Sequence, residues 1–349
     1  MNVLSLFDGM SCGQQALERA GFKVDKYFAS EIDKYAIQVT MANYPNTIQL
    51  SSVVNVIGKD LPKIDILIGG SPCQSFSFAG KRKGMSTKDE QEILTLEHYL
   101  QLKEEGFEFE GQSYLFWEYM RLLNEVKPKY FLLENVMMGE KWEKILSKAI
   151  GVKPIMINSS LVSAQNRQRL YWTNIGLEPQ GLFGDLESII QQPKDKGILL
   201  KDILEADVDT KYYLSNKMIA GFERHKERHA EKGTGFGFKP KNQNDKGNCL
   251  RANGALCATD NMIKIVGGDF RYDEGFRWRD GGKTGTLCTN AESFAKINSK
   301  IRRLTPVECE RLQTVKDNYT NYVSDSQRYK MLGNGWTVDV IAHILNYIK

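Results

Sequence analysis

The sequence predicts a doubly wound, mostly parallel α/β sheet carrying a small loop-rich lobe inserted late in the chain. Three observations lead there. Short apolar runs at 3–7, 64–68 and 131–133 each stop at a glycine-containing turn or a polar residue, as buried strands do. Helical patterns lie between these runs, as crossovers between parallel strands require. From about 177 to 299 that order gives way to clustered glycines interleaved with aromatic and basic residues, the mark of short strands and long loops. The expected layout is a main domain over 1–176, a separate lobe over 177–299 and a return to the main domain over 300–349.

Bulk properties narrow the class. At 349 residues the chain can bury a sizeable core, and 41% hydrophobic with 26% charged content is ordinary for a soluble globular protein. A net charge of +4 and an isoelectric point near 8.5 permit a nucleic-acid partner without demanding one. No apolar run approaches a bilayer span, and Val3-Leu4-Ser5-Leu6-Phe7 is too short for a signal sequence; a cytoplasmic protein without membrane contact is expected. The six cysteines, Cys12, Cys73, Cys249, Cys257, Cys288 and Cys309, form no CxxC pair. Neither a disulfide framework nor a metal site is therefore expected.

The first strand, Val3 to Phe7, leads through Asp8-Gly9-Met10-Ser11-Cys12-Gly13 into a helical pattern from Gln14 to Ala20. Strand, glycine turn and helix open a doubly wound sheet, with helix-terminal N–H groups facing a ligand. The spacing is not GxGxxG, which argues against a pyrophosphate cofactor and a nicotinamide enzyme. Phe7 suits either a purine or the core. The second strand, Val24 to Ser30, ends at Glu31-Ile32-Asp33. A carboxylate about 20 residues past the glycines is placed for ribose hydroxyls. Asp33 is expected to cap the next helix, which leaves Glu31 as the ligand.

The run Ile64 to Ile68 ends in Gly69-Gly70-Ser71-Pro72-Cys73-Gln74. This puts a thiol at the carboxyl edge of the sheet, where open α/β folds bind ligands. Glycines there allow close approach of a backbone or a flat ligand. Alone, such a cysteine reads by default as a buried structural thiol. Phe131-Leu132-Leu133-Glu134-Asn135-Val136 brings a carboxylate to the same edge, and a nucleophile beside an acid makes a site.

Between these strands, Phe76 to Met85 carries Gly80-Lys81-Arg82-Lys83-Gly84, a basic loop able to close over a phosphate backbone. The acidic stretch from Lys88 to Gln112 is expected on the outer surface, with an amphipathic helix around Glu90 to Lys103. A helix over Tyr114 to Val126 follows, stopped by Lys127-Pro128-Lys129. Next come a helix over Trp142 to Ala149 and a strand over Pro154 to Asn158. Gln165, Arg167 and Arg169 alternate into the strand Leu170-Tyr171-Trp172-Thr173, so period two puts all three on one face. Two guanidiniums there favour anionic or carbonyl oxygens. In the lobe, Arg271, Arg277 and Arg279 stand among the glycines and aromatics, each a phosphate contact or plain surface. Thr305-Pro306 with Glu308 starts a helix, and Gly333-Asn334-Gly335-Trp336 precedes an apolar helix over Val340 to Ile348.

Pro72-Cys73-Gln74, Glu134-Asn135-Val136 and Gln165-Asn166-Arg167-Gln168-Arg169 resemble the signature motifs of DNA (cytosine-5) methyltransferases, in family order and over almost the whole chain. The resemblance implies a class I methyltransferase fold with S-adenosylmethionine as cofactor. It assigns to that cofactor Phe7, Asp8, Gly9, Met10, Ser11 and Gly13 of the first turn, and Glu31 with Ile32 of the second. Ser52, Pro72, Leu115, Asn334, Gly335 and Trp336 complete the set. The sequence departs from the family at two points. The adenine-binding Asp after the third strand is replaced by Leu50-Ser51-Ser52-Val53, leaving Ser52 or a backbone carbonyl. Gly335 and Trp336 stand where a small residue and Val are common, a pattern similar to eukaryotic de novo DNA methyltransferases.

The implied reaction is methyl transfer to C5 of a cytosine flipped out of duplex DNA, through a covalent adduct at Cys73. Glu134 would act at N3, Arg169 at O2, and Arg167 as support. Leu250-Arg251-Ala252 and Gly285-Thr286-Leu287-Cys288-Thr289 resemble loops of the family's target recognition domain. A cognate restriction endonuclease and a monomer acting on DNA belong to the same expectation. The alternatives are an RNA cytosine-5 methyltransferase on this scaffold and a non-catalytic DNA-binding regulator.

Overall fold

Alternation decides which side of the sheet each strand residue covers, and the chain uses both sides. A computed structural model describes residues 1–72, 85–88, 91–109, 111–180, 185–233, 237–252, 254–265, 268–271, 275–278 and 300–349. Its first half runs β1 (Asn2–Leu6), α1 (Cys12–Arg19), β2 (Lys26–Ser30), α2 (Lys34–Asn43), β3 (Ile48–Gln49) and β4 (Ile66–Gly69). It continues with α3 (Leu96–Glu104), α4 (Phe116–Val126), β5 (Tyr130–Val136), α5 (Glu140–Ile150), β6 (Ile155–Asn158) and β7 (Gln168–Thr173). These strands form one seven-stranded sheet of order β3-β2-β1-β4-β5-β7-β6. β7 is antiparallel to both neighbours, and the other pairings are parallel. The strand order reverses between β1 and β4, so a crevice opens at their carboxyl ends, the usual ligand position in such sheets. The doubly wound, mostly parallel sheet expected from the sequence is present.

Val3, Ile66, Ile68, Leu132 and Tyr171 cover one face with Ala16 and Leu17 of α1. Leu4, Leu6, Leu67, Leu133, Leu170 and Trp172 cover the other with Phe116 and Trp117 of α4. Adjacent residues of each strand thus go to opposite layers, as a pleat buried on both faces requires. Asp33 caps α2, its carboxylate accepting from Tyr35 N–H at 3.0 Å. α4 stops at Lys127 in the left-handed region (φ 42°), just ahead of Pro128.

The acidic segment differs from expectation in where its helix begins. Ser86 bridges to Glu92 and Thr87 to Phe109, so the chain is extended there and α3 starts only behind the Thr95 cap. Glu97, Glu104, Glu105 and Glu108 are exposed. The inner side of α3 is tied down by Glu118 of α4. That fully buried carboxylate accepts from the Tyr99 hydroxyl at 2.6 Å and Arg121 Nε at 2.7 Å, and pairs with Lys103.

The following region contains the β8 (Leu177–Gln180) and β9 (Asp185–Ser188) hairpin, then α6 (Asn216–Glu231), β10 (Met262–Ile265), β11 (Gly268–Arg271) and β12 (Gly275–Trp278). The sixteen-residue α6 was not anticipated among short strands and loops. Its apolar stripe is narrow: Ile219 and Phe222 pack on a small cluster of Phe238, Ala258 and Met262, and from Glu223 onward the helix is mostly charged. β10 pairs antiparallel with β13 (Lys300–Arg303), through which the chain re-enters. It finishes in α7 (Pro306–Leu312), α8 (Asp325–Asn334) and α9 (Val338–Leu345), and α9 packs against α1. No helix among the described residues is long and apolar enough to cross a membrane.

The expected Thr-Pro start of α7 is a capping box on Thr305 and Glu308 with Pro306 in the first turn. Glu308 is fully buried and accepts from Arg302 Nη1 at 2.7 Å and Nη2 at 2.6 Å, and from Glu205 N–H at 2.9 Å. Removing one partner of a buried ion pair strands the other charge. Glu308→Ala is therefore expected to lose about 3–5 kcal/mol of stability, and urea unfolding with a loss under about 1 kcal/mol would contradict this.

Candidate active site

The site grows from the strand ends. After β1, Phe7 and Ser11 take positive φ (58° each) and Gly9 does too (59°). Such backbone costs an L-residue energy and has to be held by its surroundings. Glu31 and Asp8 hold it. Glu31 Oε2 accepts from Gly9 N–H at 2.8 Å, and its Oε1 accepts from the N–H groups of Ile32 at 2.7 Å and Asp33 at 2.8 Å. The Asp8 carboxylate turns inward to the Tyr27 hydroxyl at 2.7 Å and to the Ser11 hydroxyl. Burial pushes the Asp8 carboxyl up to about 6, against the opposing effect of its hydroxyl donors.

Phe7 is half-buried. Met10 lies fully buried beneath Gly335, its backbone carbonyl accepting from the Tyr319 hydroxyl at 2.7 Å. Gly13 is a packing glycine, since a Cβ there would come within 2.5 Å of Ile68 Cδ1. At Gly9 a Cβ would meet nothing within 4 Å, so the turn faces open space. Ile32 is 68% exposed beside Glu31, a large apolar side chain uncovered at the sheet edge. Open backbone, a carboxylate and an uncovered aliphatic fit a nucleoside-bearing cofactor. Ser52 is half-buried and starts a single 3-10 turn, its side chain making no cap bond to it.

After β4, Gly70 carries the closest approach. A Cβ there would lie 2.9 Å from Trp336 Nε1 and 3.2 Å from Glu134 Oε2. Gly70 therefore admits an indole from the C-terminal segment, a contact that 265 intervening residues hide from the sequence. Ser71 is buried and held by the Asn135 amide, which donates to its carbonyl at 3.3 Å and its hydroxyl at 3.0 Å. Pro72 follows, half-buried. Cys73 and the basic loop through Gly84 lie outside the described residues, as do Arg279 and the 285–289 loop.

Glu134 of β5 pairs directly with Tyr171 of β7. Arg169, two residues away on β7, shares that face, and its Nε meets Glu134 Oε1 at 2.9 Å. Burial opposes the Arg169 charge, but Glu134 and then Cys249 outweigh it and hold the guanidinium more firmly protonated. Arg167 is buried and turns to the C-terminal turn, donating to the carbonyls of Gly333 at 3.2 Å and Gly335 at 2.9 Å. Gln165 is buried too and donates to Leu312 O at 2.8 Å and Gln313 Oε1 at 2.9 Å.

Glu134, Arg169, Gly70 and Trp336 thus come together. Asn334 is exposed at the end of α8, and Gly335 caps that helix. Leu115 packs against the α4-side core. Gln313 was missed by sequence reasoning. Fully buried, it donates to Leu332 O at 2.6 Å and Gly335 O at 3.1 Å, fixing the turn that carries Trp336. No local pattern marks it.

Among the described cysteines, Cys12, Cys249, Cys257 and Cys309 are free thiols. Burial pushes Cys12 up to about 12, which makes it a poor nucleophile.

Glu31→Ala would free three N–H groups and slacken the Gly9 turn. Cofactor affinity is expected to fall at least about tenfold in calorimetry, and unaltered affinity would refute this assignment.

Known proteins bear on this geometry. Among curated relatives, Type II methyltransferase M1.ScrFI of Lactococcus lactis subsp. cremoris is 30% identical over 340 residues, covering 93% of this chain and 72% of its own. Type II methyltransferase M.NlaX of Neisseria lactamica is 29% identical over 358 residues, covering 99% and 96%. Among solved structures, the Entamoeba histolytica methyltransferase EhMeth superposes with a TM-score of 0.65 at 15% identity, covering 99% of this chain and 97% of its own. A mutant of Spodoptera frugiperda DNMT2 gives 0.60 at 21%, covering 99% and 98%. These two share the fold. The family model for C-5 cytosine-specific DNA methylase matches residues 1–349. Because that match runs through every element from β1 to α9, the chain belongs to the C-5 cytosine-specific DNA methylase family.

Proposed function

We propose that this enzyme transfers a methyl group from S-adenosylmethionine to C5 of a cytosine flipped out of duplex DNA, through a covalent adduct at Cys73. The observation that carries the reading is the Glu134–Arg169 pair at the carboxyl edge of the sheet, 2.9 Å apart and next to the strand that leads to Cys73. Cytosine C5 is a weak nucleophile until the ring is activated. The Cys73 thiolate adds to C6, which makes C5 enamine-like. Negative charge then grows toward N3, where Glu134 holds a proton or hydrogen bond. Arg169 grips the cytosine O2 and orients Glu134, and Arg167 supports it through the 333–335 turn.

When bound, S-adenosylmethionine supplies the methyl group that C5 accepts. Glu31, Ile32, the Gly9 turn and Trp336 are the residues that would hold it, with Ser52 at the adenine side. Water then takes the C5 proton, and the electron pair left behind re-forms the C5–C6 double bond as the C6–sulfur bond breaks and the Cys73 thiolate leaves. A duplex buries these ring atoms, so the base has to leave the stack.

Residues 177–299 form the target recognition domain in this reading, and a monomer acts in the cytoplasm beside a cognate restriction endonuclease. The test is incubation with tritiated S-adenosylmethionine and unmethylated genomic DNA, followed by bisulfite sequencing. 5-Methylcytosine at one short motif is the expected result. Label entering transfer RNA in place of DNA would move the substrate to RNA.

A further inference from the structure

One segment of the inserted lobe runs alongside the entry to β7. Gly247 N–H donates to Ala164 O at 2.6 Å and Asn166 N–H to Gly247 O at 2.9 Å, so residues 164–166 and 247 pair as short parallel backbone. Beyond that pairing, Leu250 N–H donates to Gln165 Oε1 at 3.2 Å. Cys249 Sγ accepts from Arg167 Nη1 at 3.2 Å and from Arg169 Nη2 at 3.6 Å. Gln165, Arg167 and Arg169 do share one face, and Cys249 and Leu250 lie against it beside the C-terminal segment.

The sulfur sits where two functions meet. Arg167 uses its other bonds to grip the 333–335 turn. Arg169 points Nε at Glu134 and Nη1 at Gln168 O, 2.8 Å away. The Gln168 carbonyl belongs to the neighbouring residue and moves with Arg169. Besides Glu134, Cys249 is therefore the one hydrogen-bond acceptor from another element, among the described residues, that fixes the plane of the guanidinium. A planar fork held at two separated nitrogens cannot swing about its last torsions, and one held at a single nitrogen can.

We infer that Cys249 is a positioning residue, whose sulfur, delivered by the inserted lobe, holds the Arg169 guanidinium in the plane that meets Glu134. Burial alone would push this thiol up, but the Arg167 and Arg169 guanidiniums overcome that and hold it below the ordinary thiol range. The catalytic pair is then held correctly only while the lobe is seated against β7.

The kinetic part of this inference rests on the cytosine methylation reading. In single-turnover methyl transfer at saturating DNA and S-adenosylmethionine, Cys249→Ala is expected to slow the step about tenfold. Its KM for DNA and its cofactor affinity should stay within about twofold of wild type. Cys249→Ser keeps an acceptor and should recover most of the rate. An unchanged rate in Cys249→Ala would overturn the role, as would equal impairment of both variants or a loss confined to KM.

A second measurement needs no methyl transfer. Alkylation of the wild-type protein by iodoacetamide, followed at Cys249 by peptide mass mapping across pH, should show a midpoint below the ordinary thiol value of about 8.5. That midpoint should rise in Arg169→Ala. An ordinary midpoint that Arg169→Ala leaves unmoved would overturn the pairing. A wild-type protein that methylates nothing would sink the reaction reading while the alkylation result still decided the contact.

Discussion

Cys73→Ala is expected to lower methyl transfer by on the order of 10⁴–10⁶-fold, the scale of removing a covalent nucleophile, while cofactor affinity stays near wild type. The separation follows from where the two functions sit. The residues proposed for the cofactor are held by bonds that do not pass through Cys73: Glu31 to the Gly9 turn, Gln313 to the turn before Trp336. Cys12 cannot substitute, because burial keeps its thiol protonated at any ordinary pH. Rapid-quench assays with labelled cofactor and calorimetry on the same preparation would decide it. Retained turnover would remove Cys73 from the mechanism, and lost cofactor binding would make its role structural.

Glu134→Gln carries the second largest expected effect. The amide keeps the size and one acceptor oxygen but cannot deliver a proton to N3. A loss of about 10²–10⁴-fold in the single-turnover rate is the scale of a general acid, with little change in cofactor affinity. The substitution also removes the charge that Arg169 faces at 2.9 Å, so part of the loss would come from a misdirected guanidinium. Arg169→Lys in a double-mutant cycle separates the two parts, since contacting residues couple. A single-turnover rate unchanged in Glu134→Gln would count against any role at N3.

What the sequence made legible was local. The strand-turn-helix opening, Asp33 as a cap, the Thr-Pro start of α7 and the shared face of Gln165, Arg167 and Arg169 each depend on spacing within a few residues. Glu134 and Arg169 were also readable, because each lies at the end of an apolar run whose direction fixes the edge it reaches. Other contacts were illegible because distance along the chain erased them. Nothing near Gly70 announces Trp336, nothing near Arg167 announces the Gly333 and Gly335 carbonyls, and nothing near Cys249 announces two arginines some eighty positions earlier. Residues 216–231 failed for another reason: a helix needing only Ile219 and Phe222 to dock reads as charged loop.

The packing of α9 on α1 has a consequence for how the protein is made. Arg19 reaches Thr314 O at 2.8 Å, and the Tyr319 hydroxyl reaches Met10 O at 2.7 Å. α1 thus completes its packing only when α9, far along the chain, is in place. Until then α1 is covered by the sheet alone, and the β1 turn lacks its support from Tyr319. Contacts of such sequence separation fold slowly and leave apolar surface exposed during synthesis. Chains truncated before residue 338 should be more protease-sensitive in α1 than the full sequence, because the layer that α1 and α9 share closes only with both present.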